Sequence, residues 1–148
     1  MNGERPAEGV VLVRSAADGL AQDITAGAHH LRSDEPGPVG GDSGPTPYDL
    51  LLAALGSCTS MTLGMYARRK QWPLASVTVS LRHFRVHAAD GADSETRDAK
   101  ITVIERDIAV EGPLDDDQRA RLTEIANRCP VHRTLTSQFE IRTRLTAA

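Results

Sequence analysis

The sequence, 148 residues long, predicts an α+β fold: a mostly antiparallel sheet, one long central helix and a second helix later in the chain. Three observations carry this. Strand-like stretches follow one another through tight turns at the N-terminus and again after the central helix. The stretch Pro47 to Gln71 is the longest apolar run and is bounded by helix signals at both ends. Pro113 to Cys129 carries Leu122, Ile125, Ala126 and Cys129 on one helical stripe and is broken by Pro130.

Composition narrows the class. A chain of this size buries roughly two-thirds of its unfolded surface and suits one domain, spanning 1–148, with residues 1–8 as a loose leader. Aromatic residues are only 3% of the chain, so the core must be built from Leu, Val, Ile and Ala. A net charge of −3 and the lack of a long basic run argue against a nucleic-acid partner. No apolar stretch is expected to span a bilayer, and the polar MNGERPAEG start does not suit a secretory signal. The expected compartment is the cytoplasm, where two cysteines are two thiols or a transient redox pair.

In chain order, Val10 to Ser15 is β-branched and reads as a strand. Asp18-Gly19 turns it into Leu20 to Thr25, and Ala28 to Arg32 follows Gly27 as a third. Ser33 to Pro45 holds three prolines and four glycines in thirteen residues and is a loop. Loops of that length inside a compact domain are usually functional. The central helix opens on Thr46 as N-cap, Pro47 in the first turn and Asp49 as capping-box acid. Arg68, Arg69 and Lys70 complement its C-terminal dipole, and Trp72-Pro73 stops it. Ser76 to His87 alternates, with Val77, Val79 and Leu81 on one face. Ala89 to Asp98 reads as a polar hairpin tip. Lys100 to Glu111 is a second long strand, and a change of apolar phase near Arg106-Asp107 suggests a bulge. Asp115 to Asp117 compensate the dipole at the start of the second helix. Val131 to Leu135 reads as a short helical piece, and Phe139 to Leu145 alternates as a final strand.

Chemistry rests on the thiols. Cys58 lies deep in the central helix among Ala53, Ala54, Gly56 and Ser57. Gly56 and Gly64 each cost a helix about 1 kcal/mol against alanine, so close packing or access to the sulfur is expected there. A free cysteine on a buried helix ordinarily packs as a small hydrophobe. A reactive one must be a thiolate, which needs nearby positive charge. The helix's own dipole fades after the first turn. Asp49 lies nine residues away, about 13.5 Å along the axis and on another face. The cation must come from elsewhere: Arg14 and Arg32 on the first strands, or Arg133 beyond Cys129. Cys129 sits beside a proline, with His132 close enough in sequence to orient it or cap a helix. The other histidines are weak signals, and no HExxH or CxxC pattern points to a metal.

GPTPYDLLLAALGSCTSMTL (Gly44 to Leu63) together with ANRCPVHRTL (Ala126 to Leu135) resembles the OsmC/Ohr family, the osmotically inducible and organic hydroperoxide resistance proteins. The order and contexts of the two cysteines carry the likeness. The SDEPGP loop and the WPL-x-x-V helix exit resemble an OsmC-like subgroup. The resemblance spans about Val10 to Leu145. It implies an intertwined homodimer with long helices at its centre. It also implies a thiol peroxidase that needs no cofactor and no metal. Cys58 would attack an organic hydroperoxide and become a sulfenic acid. Cys129 would resolve it as a disulfide, and a dithiol reductant would restore both. An arginine would hold the thiolate: Arg32 by the pattern of OsmC proper, Arg14 by that of the Ohr branch. The family's glutamate commonly follows the helix-opening proline directly. Here that place is Tyr48, and the acid comes one position later as Asp49.

The resulting expectation is an enzyme reducing organic hydroperoxides to alcohols in oxidative-stress defence, without nucleic-acid or membrane partners. Leu51, Leu55 and Met61 are expected to line its apolar groove. The rival expectations are a non-catalytic binding or regulatory dimer carrying a small apolar ligand, and a purely structural role for the thiols.

Overall fold

The computed structural model describes residues 5–87 and 100–147. The predicted hairpin tip at 89–98 and the first four residues of the predicted leader lie outside the described residues. The chain divides into two compact units, Met1–Leu51 and Leu52–Ala148.

The N-terminal unit contains a three-stranded antiparallel meander, β1 (Val11–Ser15), β2 (Gln22–Ala26) and β3 (His29–Ser33), in the order β1-β2-β3. Gly27, at φ +61°, opens the two-residue turn between Ala26 and His29, a conformation that L side chains resist. The loop after β3 is organised by one carboxylate. Asp34 is only 4% exposed. It accepts hydrogen bonds from the Glu35, Gly41 and Ser43 backbone N–H groups at 2.8, 3.2 and 3.1 Å and from Ser43 Oγ at 2.7 Å. The Ser43 hydroxyl, followed by the Glu35 and Ser43 backbone donors, holds its pKa below the ordinary value. Gly40 permits the tight fold of this loop, because a Cβ there would run into the Glu35 carbonyl.

Helix α1, Pro47–Lys70, opens in this unit and continues into the C-terminal one. Its predicted capping box is present: Asp49 N–H donates to Thr46 Oγ1 at 3.1 Å, and Thr46 N–H donates to Asp49 Oδ2 at 2.9 Å. The helix ends in a Schellman motif, in which Trp72 N–H reaches the Ala67 carbonyl and Gln71 N–H the Arg68 carbonyl, at 2.8 and 3.1 Å. Gln71 adopts the left-handed conformation, φ +57°, that glycine usually supplies. By length and composition alone α1 could cross a membrane. The expectation that no stretch is apolar enough was therefore too strict. What makes α1 a core helix is its stripe of buried residues, including Leu55, Thr59, Leu63 and Tyr66.

In the C-terminal unit that stripe packs with α2 (Asp116–Ala126) and with the antiparallel pair β4 (Ser76–His87) and β5 (Lys100–Glu111). Leu63, Tyr66, Leu114, Leu122, Ile125 and Ala126 form the core, flanked by Trp72, Leu74, Val77, Ile108 and Val110. Trp72 meets Tyr66 edge-on, with centroids 5.4 Å apart. Gly56 has the packing reason expected of it: a Cβ would lie 2.8 Å from Leu81 Cδ1. At Gly64 a Cβ would meet nothing within 4 Å.

Three sequence expectations need correction. The β4–β5 register is unbroken from Ser76↔Glu111 to His87↔Lys100, so there is no bulge at Arg106. The phase change arises because Arg106 occupies an inward place in the row Ile104, Arg106, Ile108, Val110. The second helix stops at Ala126. Cys129 is the N-cap of a separate short helix, α3 (Pro130–Thr136), because a residue preceding proline is pushed into extended conformation, here φ −62° and ψ 141°. Finally, 139–145 is not a strand. Its alternating residues Phe139, Ile141 and Leu145 are 60%, 79% and 102% exposed, and a strand without a ladder partner has nothing to satisfy its backbone.

Candidate active site

Three elements of the C-terminal unit bring the two cysteines together. Cys58 lies on α1 at the border of its buried stripe and is partly exposed. Cys129, which caps α3, has no exposed surface. The Cys58 thiol is one of the groups that lower the pKa of Cys129. Both are free thiols.

Cys129 is surrounded by donors. The His132 backbone N–H donates to its Sγ at 3.3 Å. Thr59, fully buried next to Cys58 in the chain, places Oγ1 3.9 Å from the sulfur. That hydroxyl has one proton to share between Cys129 and the Leu55 carbonyl at 2.7 Å. Arg106 comes in from β5: Nη1 donates to Thr59 Oγ1 at 2.9 Å, while Nη2 donates to Asn127 Oδ1 at 3.0 Å and to His132 Nδ1 at 3.3 Å. Burial pushes the Cys129 thiol up. The His132 N–H, the Cys58 thiol, the Thr59 hydroxyl and the Arg106 charge together outweigh it and leave the pKa lowered. Burial and the Arg106 charge also lower the pKa of His132, so its ring stays neutral and Nδ1 can accept from the guanidinium. A cavity of about 390 Å³ opens on this side, lined by Leu55, Ile104, Arg106, Asn127, His132 and Leu135 among others. A larger groove of about 880 Å³ lies towards the end of α1 and carries Arg68, Arg69, Lys70, Arg121 and Arg128.

The two arginines singled out from sequence occupy one row of the N-terminal sheet. Arg14 and Arg32 both register against Asp23 on the central strand, which puts all three on one face. Arg32 Nε lies 3.8 Å from Asp23 Oδ1. This shared row explains why sequence spacing could not separate the two. Of the residues expected to line a groove, Leu55 is buried and borders the smaller cavity, whereas Leu51 and Met61 are exposed. The His132 contact with Cys129 is made by its backbone N–H, as Cys129 caps α3, while its ring accepts from Arg106.

Sequence reasoning missed Arg106, Thr59 and Asn127. The signal for Arg106 was present: a charged residue in an inward place of a strand needs buried partners, and it was read as a shift of register. Among the described residues, no three His, Cys, Asp or Glu side chains gather as a metal-ligand set.

Fold and site together define an α+β protein with a vicinal pair of thiols, one half-open and one buried among donors. The chain belongs to the OsmC-like protein family, whose sequence profile matches residues 40–144. No curated protein matches it closely. Solved structures share the fold at low identity. A Psychrobacter arcticus protein named for osmotic stress and detoxification response is 20% identical, with a TM-score of 0.68 over 87% of this chain and 89% of its own. An OsmC-like protein of Mycoplasma pneumoniae is 16% identical, with a TM-score of 0.62 over 91% and 89%. The organic hydroperoxide resistance protein OhrB of Bacillus subtilis is 16% identical, with a TM-score of 0.58 over 86% and 89%.

Proposed function

We propose that this protein is a thiol-dependent peroxidase that reduces organic hydroperoxides to alcohols in oxidative-stress defence. The observation that carries this reading is a partly exposed thiol, Cys58, set beside a buried one, Cys129, whose anion it helps to stabilise. Exposure supports this division of roles. Peroxide can approach Cys58, whereas Cys129 is fully enclosed. The Cys58 thiolate attacks the outer peroxide oxygen, the O–O bond breaks, an alcohol leaves, and Cys58 becomes a sulfenic acid. The Cys129 thiolate then attacks the Cys58 sulfur and expels water, forming the disulfide. A dithiol reductant restores the pair. Arg32, with Arg14 as its rival, is proposed as the cation that holds the Cys58 thiolate.

The working unit is proposed to be a cytoplasmic homodimer, as the family resemblance implies. Ala54, Met61 and Met65 leave an exposed stripe along α1, with Met61 and Met65 66% and 69% exposed. Cys58 lies between Ala54 and Met61 on its border, so a second copy covering the stripe would flank the thiol. Gly64, with open space above it, would allow close approach. The unpaired alternating segment 139–145 is a second feature suited to a partner sheet.

The test is a thiol count. Reduced protein mixed with cumene or tert-butyl hydroperoxide loses both free thiols stoichiometrically, and Cys58→Ser abolishes the loss. Thiols that stay unchanged under excess peroxide would refute the peroxidase reading. A co-purifying apolar ligand with inert thiols would favour a binding protein instead.

A further inference from the structure

We infer that the oxidised pair is opened in one direction only: an external thiolate attacks Cys58, Cys129 departs as the leaving sulfur, and Arg106 is the positioning residue for that departure. The inference rests on the two-thiol cycle proposed above and deepens it. Two geometric facts carry it. Cys129 is fully buried, so a reductant has no line of attack on its sulfur, whereas Cys58 is partly open. Thiol–disulfide exchange also runs faster when the sulfur that leaves is the more stable anion. Among the described residues, three elements place donors towards Cys129: the His132 backbone N–H from α3, the Thr59 hydroxyl from α1 and, behind it, the Arg106 guanidinium from β5. Arg106 reaches them through hydrogen bonds to Thr59 and to the neutral His132 ring, and Asn127 fixes its second nitrogen.

The step balances. The reductant thiolate forms a bond to Cys58 Sγ as the Cys58–Cys129 bond breaks, and Cys129 leaves with the electron pair. The second thiol of the reductant then attacks the reductant's own sulfur in the mixed disulfide. Cys58 is released as a thiolate, and the reductant departs as its cyclic disulfide. The Thr59 proton is available to the departing sulfur, because that hydroxyl can turn from the Leu55 carbonyl towards Cys129 while its lone pair keeps the Arg106 bond.

The experiment uses the full chain, oxidised with diamide so that the disulfide forms whether or not the protein consumes peroxide. N-acetylcysteine, a monothiol that cannot close the intramolecular second exchange and so releases Cys58 only through a second, slower encounter, is added. The mixture is acid-quenched early and alkylated, then mapped by mass spectrometry. The expected result is N-acetylcysteine on Cys58 and the alkyl label on Cys129. The reverse pattern overturns the inference, as does failure of diamide to form the intramolecular disulfide. Arg106→Gln should slow opening a few-fold, because the leaving thiol becomes less acidic once the Arg106 charge is gone. It should also move the thiolate ultraviolet titration of Cys129, followed in the Cys58→Ser background, to higher pH, with Arg106→Lys restoring part of both. An unchanged opening rate and titration in Arg106→Gln removes Arg106 from the step. Thiols inert to peroxide, with a diamide disulfide that still opens at Cys58, would refute the peroxidase reading alone. Peroxide oxidation followed by attack at Cys129 would refute this inference alone.

Discussion

Thr59→Val isolates the polar hub behind Cys129. Valine keeps the β-branched shape and nearly the volume, so no cavity opens at a position with no exposed surface. Only the hydroxyl is lost. Its bond to the Leu55 carbonyl, 2.7 Å, is a neutral one, worth about 0.5–1.5 kcal/mol. The Arg106 bond, 2.9 Å, is charge-assisted, worth about 1.5–3 kcal/mol. Arg106 retains Asn127 and His132, and the Leu55 carbonyl retains its helical partner, so the lower half of the combined range applies, about 2–3 kcal/mol. The same change deprives the Cys129 anion of one of its donors, so the Cys129 thiol should titrate at higher pH than in the unaltered protein. Urea unfolding of the reduced protein measures the first effect, and thiolate absorbance in a Cys58→Ser background measures the second. A stability loss under about 0.5 kcal/mol together with an unmoved titration would show that Thr59 is not a hub at all.

The other predictions concern pH, the loop and the helix ends. The folded pKa of His132 is depressed, so its contribution to stability is complete above the unfolded value of about 6.5 and is lost as pH falls through the lower folded value. His132→Gln should flatten the unfolding free energy across that window, and an unchanged slope would exclude His132 as its source. The same sign holds for Asp34: its contribution is present above about 3.9 and lost below the depressed folded value. Asp34→Asn should expose 35–43 to limited proteolysis at neutral pH, and a cleavage pattern identical to the unaltered protein's would refute the organising role of the carboxylate. Gln71→Gly should relieve the left-handed residue at the end of α1, a gain of up to about 1 kcal/mol after the added freedom of the unfolded chain is subtracted. A melting temperature that falls would contradict the Schellman assignment. Gly56→Ala should destabilise despite its better helix propensity, because Leu81 must move, at a net cost of about 1 kcal/mol in chemical unfolding.

Much of this protein is local and therefore readable. The capping box Thr46/Asp49, the cationic last turn of α1, the β4 face of Val77, Val79 and Leu81, and the α2 stripe of Leu122, Ile125 and Ala126 all follow from spacing within a few residues. Both cysteines could likewise be picked out by their neighbours. The alternation of 139–145 was legible as well. A strand, however, needs a ladder, and whether one is present is not written in the segment itself.

The α+β class, the helices and most strands that hold the thiols, and the family are legible in the order of the residues. What surrounds the sulfurs is not, and only the tertiary structure decided it. Arg106, Thr59, Asn127 and His132 come from β5, α1, the end of α2 and α3, and nothing in their spacing says that they meet. Hydrogen bonds between elements depend on the packing of whole faces, which fixes positions to within an ångström, whereas periodicity fixes only which face a residue occupies. The central helix and its Cys58 were evident from the first reading. That Cys129 is surrounded by donors that favour its anion, at the cap of a separate short helix, became visible only once those faces were packed.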